Sequence, residues 1–284
     1  MQKWVKENLK DFFFREEEVL NFNESCFQEF KEKLSFLRLN IQTGKEILLI
    51  PDLELSAFPA NLMQDESGQF LSQVGSITNI LTPEVYINLT AWGYPLSRNF
   101  SITMWIPTES DDLSLHFIHS QLTQTIASYC PTVITSILPT TPINSDSNIC
   151  VAHGSIGREG FRAVYTDDST AITSAESLFG HGRVAILFVC YSGSIRRRLF
   201  AHQMSSLITK LFELDYVTVI APFWALHIKI PSIWCRVFLD EFMSGKTISQ
   251  SVYYANQSVS KEFRLPEAWA AMHVYGYPNL TRAS

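Results

Sequence analysis

Short runs of consecutive apolar residues alternate along this chain with longer stretches in which apolar positions recur every three or four residues. The runs are Glu46–Ile50, Phe100–Ile106, Thr132–Leu138, Asn148–Ala152, Val184–Val189 and Tyr216–Ala221. Their length suits strands, and the last three are continuous enough to be buried on both faces of a parallel sheet. The periodic stretches predict four helices. Their inward positions are Leu115, Ile118, Leu122 and Ile126; Phe200, Met204, Leu207, Ile208 and Leu211; Trp234, Val237, Phe238 and Phe242, stopped at Gly245; and Ile248, Val252, Ala255 and Val259. After Pro51, "DLELSAFPANL" reads as a tight turn, a short strand and a Pro-led helix start. Strands alternating with helices of this length imply a doubly wound α/β sheet, mostly parallel, with helices on both faces.

The first 45 residues carry a different pattern. Phe27, Phe30, Leu34 and Leu37 fall on one helical face, and Phe12–Phe14 followed by Arg15 and Glu16–Glu18 make an amphipathic piece. Residues 1–45 therefore read as a helical lead-in, either packed on its own domain or offered as a docking surface, and residues 46–284 as one α/β domain.

Composition narrows the class. At 46% hydrophobic and 18% charged residues the chain has material for a large core and is not a disordered one. A formal net charge of −6 argues against a general nucleic-acid binder. The five cysteines are odd in number and scattered, without a C-x-x-C pair, which weighs against a disulfide framework and a structural zinc site. Met1–Lys10 has no apolar signal-peptide core, and no apolar run is long enough to span a bilayer. The expectation is a cytoplasmic protein in a reducing compartment, with no membrane and no nucleic-acid partner.

Two strand ends carry reactive side chains. "NICVAHGS" ends in His153-Gly154, and "VAILFVCYSG" ends in Cys190 with Ser192-Gly193 behind it. In an open α/β sheet, ligands bind outside the carboxyl ends of the strands. If these two strands are parallel neighbours, both residues emerge on one rim as a nucleophile and its base. The backbone N–H of Gly154 and that of Cys190 could then form an oxyanion hole. The order, histidine before cysteine, is that of caspases and opposite to papain's. Buried cysteines at strand ends and His-Gly turns are also common structural features, so the residues by themselves leave the structural reading open.

The ordered blocks "ILLIPDLELSAFPANLM", "ICVAHGS", "ILFVCYSG", "VIAPFW", "FMSG" and "PEAWAAMHVYGYPNL" resemble the CHAT domain, a caspase-like cysteine peptidase family related to caspases and separase. The resemblance covers roughly residues 46–280. It implies a caspase-like three-layer α/β sandwich and peptide-bond hydrolysis without a metal or cofactor. It makes His153 the base and Cys190 the nucleophile, with the Gly154 and Cys190 N–H groups on the oxyanion and Trp224 and Ser192 facing the substrate. The implied partners are a protein or peptide substrate and a separate regulatory protein, docking on residues 1–45 or near Arg196–Arg198. The chain departs from the family at "SGSIRRRLF", where a longer glycine-containing loop is usual, and at "WALHIKI", which lacks an acidic residue. Phe188 stands where metacaspases place an aspartate. The alternatives are a catalytically silent CHAT-like scaffold binding a peptide or partner, and a cysteine-dependent acyltransferase or amidase. An active enzyme is expected to carry a low-pKa thiol at Cys190, and a scaffold an ordinary one.

Other signals change the picture little. Arg196–Arg198 at the predicted start of a helix is unfavourable for the macrodipole and hints at an anionic partner, or is a solvated turn. "MSGKT" has Asp240 where a phosphate-binding loop needs glycine, so it reads as a helix cap. His116 and His119 lack nearby ligand partners and read as surface residues. Ala152 removes the first glycine of a G-x-S-x-G elbow from "HGSIG".

Overall fold

The computed structural model describes residues 31–283, apart from 33–34, 36–37, 43, 52–58, 92, 94, 109–111, 138–143, 155–178, 191, 193–195, 198–203, 206 and 265. Its strands are β1 (Arg38–Leu39), β2 (Ile47–Leu49), β3 (Gln64–Asp65), β4 (Ile77–Asn79), β5 (Ile102–Trp105), β6 (Thr132–Thr135), β7 (Ser147–Ala152), β8 (Val184–Val189), β9 (Arg196–Arg197), β10 (Met204–Ser205), β11 (Thr218–Pro222) and β12 (Met272–Gly276). Its helices are α1 (Leu71–Val74), α2 (Pro83–Thr90), α3 (Leu113–Ala127), α4 (Leu207–Glu213), α5 (Ile230–Met243), α6 (Ile248–Glu262) and α7 (Pro266–Trp269).

Eight strands form one sheet in the order β2-β4-β12-β11-β8-β7-β5-β6. All neighbours are parallel except β11 and β12, which pair antiparallel from Thr218↔Gly276 to Pro222↔Met272. The apolar runs that predicted strands are the central ones, and their alternation divides the core in two. Val184, Ile186 and Phe188 of β8 enter one hydrophobic cluster with Ile149 and Val151 of β7, while Ala185, Leu187 and Val189 enter the other with Cys150 and Ala152. Both faces are buried because helices cover both: α3, α5 and α6 supply Leu122, Phe238 and Val252 to the first cluster, and α4 supplies Ile208 and Leu211 to the second. This is the three-layer sandwich expected from the sequence.

Local chemistry sets the helix ends. Thr247 caps α6 through a reciprocal box: its hydroxyl accepts from the Gln250 N–H, and the Gln250 side chain accepts from the Thr247 N–H. Gly245, at φ +95°, separates α5 from α6 in the left-handed conformation that suits glycine. The "MSGKT" segment is thus a helix stop followed by a helix start. Beneath the start of β12, Trp234 donates from Nε1 to Asn256 (2.8 Å), and Asn256 and Asn61 donate to the Met272 carbonyl (3.1 and 2.9 Å). These buried amides tie α5, α6 and the 60–62 turn to the sheet.

Three expectations are revised or fall outside the described residues. The helix anticipated from Phe200 begins at Leu207, because Met204–Ser205 instead pairs antiparallel with Arg196–Arg197. Arg196 and Arg197 are therefore strand residues and do not sit at a helix N-terminus. Near the end of the lead-in, Arg38–Leu39 pairs in parallel with Gln64–Asp65, and residues 38–39 are extended. The positions Phe12–Glu18, Phe27, Phe30, Leu34, Leu37, Arg198 and Phe200 lie outside the described residues. β4, α2 and the antiparallel partner role of β12 were not anticipated. Among the described residues, no helix is long and apolar enough to cross a membrane.

Leu187 is fully buried in the smaller cluster. Leu187→Ala is expected to lower the unfolding free energy by about 2–5 kcal/mol, through lost transfer energy plus a cavity. Urea denaturation checks it as a fall in midpoint at unchanged slope.

Candidate active site

Register brings the two candidate residues to one rim. β7 and β8 are parallel neighbours paired from Ser147↔Val184 to Ala152↔Val189. His153 and Cys190 are each the next residue, so they leave the same carboxyl edge side by side. Gly154 then closes tightly on its neighbour: a Cβ there would lie 2.1 Å from the Cys190 carbonyl oxygen, 2.8 Å from Val189 Cγ1 and 3.0 Å from the Cys190 nitrogen. Only a residue without a side chain fits against that backbone.

Cys190 is partly buried. Burial pushes its thiol up, and the backbone N–H groups of Leu226, Gly154 and Cys190, which reach the sulfur, oppose that rise without overcoming it. Desolvation outweighs the donors, so the thiol is shifted away from the low pKa that an active enzyme is expected to carry.

The histidine is held from the other side. His153 is half-exposed, and its Nε2 meets the Oδ2 of Asp112. Asp112 is the N-cap of α3, and its Oδ1 accepts from the N–H groups of Ser114 (2.8 Å) and Leu115 (3.2 Å). Partial burial works against ionisation of Asp112, but the His153 contact and the Leu115 and Ser114 N–H groups outweigh it and hold the carboxyl below its usual range. One carboxylate thus fixes both the start of a helix and the orientation of an imidazole.

The two residues expected to face substrate sit deeper. Trp224 is 2% exposed, its ring edge-on to those of Phe223 and His273, so it belongs to the core and presents no open wall. Ser192 is 5% exposed; its N–H closes a turn onto the Val189 carbonyl (3.1 Å), and its hydroxyl has no hydrogen-bond partner among the described residues.

Sequence reasoning missed three contributors. Asp112 has a readable signal, an Asp immediately before the apolar periodicity of α3. Leu226 acts through its backbone and has no side-chain signature. His273 is fully buried on β12 beside Phe223, Trp224 and Tyr275, and desolvation pushes its pKa down to about 3, keeping it a neutral, aromatic-like filler. It supports the segment that carries Leu226 to the sulfur.

No family model and no curated protein matches the chain. Solved structures do match. Separase in the Saccharomyces cerevisiae separase–securin complex aligns with a TM-score of 0.58 at 13% identity, over 91% of this chain and 17% of that one. A second structure of that complex gives 0.52 at 15% identity, over 75% and 14%. The complex of Porphyromonas gingivalis RgpB pro- and mature domains gives 0.51 at 12% identity, over 99% and 77%. The chain thus spans about a sixth of the separase chain. The fold is caspase-like, shared with separase and with RgpB.

The Asp112 carboxylate stabilises the fold at neutral pH and loses that contribution as pH falls through its depressed folded-state pKa. The variant Asp112→Asn, which keeps a capping side chain but cannot titrate, is expected to melt lower than the parent at pH 7. The two melting curves begin to draw together as pH falls below about 4 and meet only beneath the depressed folded-state pKa. Calorimetry from pH 7 down to about pH 2 reads the difference.

Proposed function

We propose that this chain is a caspase-like cysteine endopeptidase of the CHAT type, with His153 and Cys190 as its dyad. The observation that carries the reading is the register-fixed exit of both residues from adjacent strands, with Gly154 packed tightly against the Cys190 backbone. The caspase-like fold supports it.

In this mechanism the neutral thiol gives its proton to His153 as the sulfur attacks the substrate carbonyl, because burial disfavours a free thiolate. Since Nε2 is engaged by Asp112, Nδ1 is the nitrogen that takes the proton. The C–S bond forms, the carbonyl electrons move to oxygen, and the N–H groups of Gly154 and Cys190 stabilise that oxyanion. The C–N bond then breaks, and the imidazolium returns the proton to the departing amine. Water, deprotonated by His153, attacks the thioester and releases the carboxylic acid and the thiol. Asp112 is a positioning residue, setting the tautomer and stabilising the imidazolium. No cofactor enters.

The partners proposed are a protein or peptide substrate and a regulatory protein, since separase is found with securin and RgpB with its pro-domain. Residues 1–45 and the neighbourhood of Arg196–Arg198 are the proposed docking points, and a reducing, cytoplasmic setting follows from the cysteine usage. A second reading, a catalytically silent scaffold, is favoured by the partial burial of Cys190, which pushes its thiol up.

A peptide-library cleavage profile of the wild-type chain against Cys190→Ala separates the two readings. Cleavage lost entirely in Cys190→Ala, and reduced by about 100-fold or more in His153→Ala, is the expected result. Identical profiles for wild type and Cys190→Ala would leave the scaffold.

A further inference from the structure

Helix α3 carries a second apolar stripe that the core does not use. Leu115, Ile118, Leu122 and Ile126 face inward, while Leu113 is 82% exposed and Phe117 40% exposed. The two exposed residues are four apart, so they stand on one face, one turn above the other. A single exposed leucine on a protein surface calls for no explanation. Here an exposed Leu–Phe pair begins at the residue immediately after Asp112, whose carboxylate holds His153. The same capping interaction that orients the imidazole therefore ties it to the first turn of α3, where this exposed pair begins. The N-terminal donors of α3 at Ser114 and Leu115 are taken by Asp112, so the helix end is not an anion site.

We propose that Leu113 and Phe117 form the subsite for an apolar side chain on the leaving-group side of the scissile bond of a peptide substrate. The inference rests on the reading of His153 and Cys190 as a dyad. In amide cleavage the group that accepts the thiol proton must deliver it to the departing nitrogen, so the imidazole stands on the side from which the amine leaves. The peptide beyond the bond must pass the imidazole and whatever adjoins it. Through Asp112, what adjoins it is the first turn of α3. An apolar residue laid across Leu113 and Phe117 would remove apolar surface of both partners from water, whereas glycine or a charged residue there would not.

The test is a peptide library randomised on both sides of the cleaved bond, profiled with the wild-type chain and with the double variant Leu113→Ser/Phe117→Ser, after thermal melts show that both are folded. The wild type is expected to prefer apolar residues over glycine within the first three positions after the bond by about 10-fold in kcat/KM, and the double variant to bring that ratio close to one. No such preference in the wild type, or one that survives both substitutions, overturns the proposal. Should the wild type cleave nothing, the dyad reading fails on its own, and the subsite is judged by binding. Fluorescence anisotropy on Cys190→Ala would compare hexapeptides rich in leucine and phenylalanine with glycine–serine hexapeptides. A preference for the apolar peptides that the added Leu113→Ser/Phe117→Ser substitutions abolish supports an apolar peptide site there, and equal binding overturns it.

Discussion

The site depends on one close approach, that of Gly154 to the backbone of Cys190. Parallel pairing of β7 with β8 delivers both chains to the same edge, but pairing alone would leave the two loops free to diverge. The absence of a side chain at position 154 lets the chain after His153 lie against the Cys190 carbonyl and aim its N–H at the sulfur. A hydrogen-bond donor placed this way costs no reorganisation when charge develops nearby, which is the general basis of electrostatic catalysis in a preorganised site.

The sulfur and the imidazole are set by opposing physical demands. Cys190 ends a strand buried on both faces, and the surroundings that make the strand stable also desolvate the thiol. His153 sits farther out, half in solvent, where it gains a carboxylate partner. On the proposed reading, a desolvated thiol beside an oriented imidazole favours proton transfer that accompanies attack on a substrate.

The central strands were legible because burial on both faces writes an uninterrupted apolar run, as in "VAILFV". The long helices were legible because one-sided burial writes a period of three to four, as in α3 and α6. Elements at the margin were not. β4 and α2 are short, and Met204–Ser205 has the composition of a helical turn but pairs with Arg196–Arg197. At the candidate site, the exit of His153, Gly154 and Cys190 from one edge was legible from their place at strand ends, whereas a chemical role for them was not. Trp224 was assigned outward from a resemblance although its burial is a tertiary property, and Leu226 contributes only a backbone group that any residue would supply. The thiol's direction of shift was not legible for the same reason: desolvation depends on what packs above a residue, which local sequence does not contain.

The place of β12 within the sheet carries a further consequence. This antiparallel strand has β11 on one side and β4 on the other, and β4 is in turn flanked by β2. Its main-chain donors and acceptors are thus committed within the chain. Among the described residues, the free edges of this sheet are β2 and β6, so a second copy extending it into a continuous sheet would join there and not at β12.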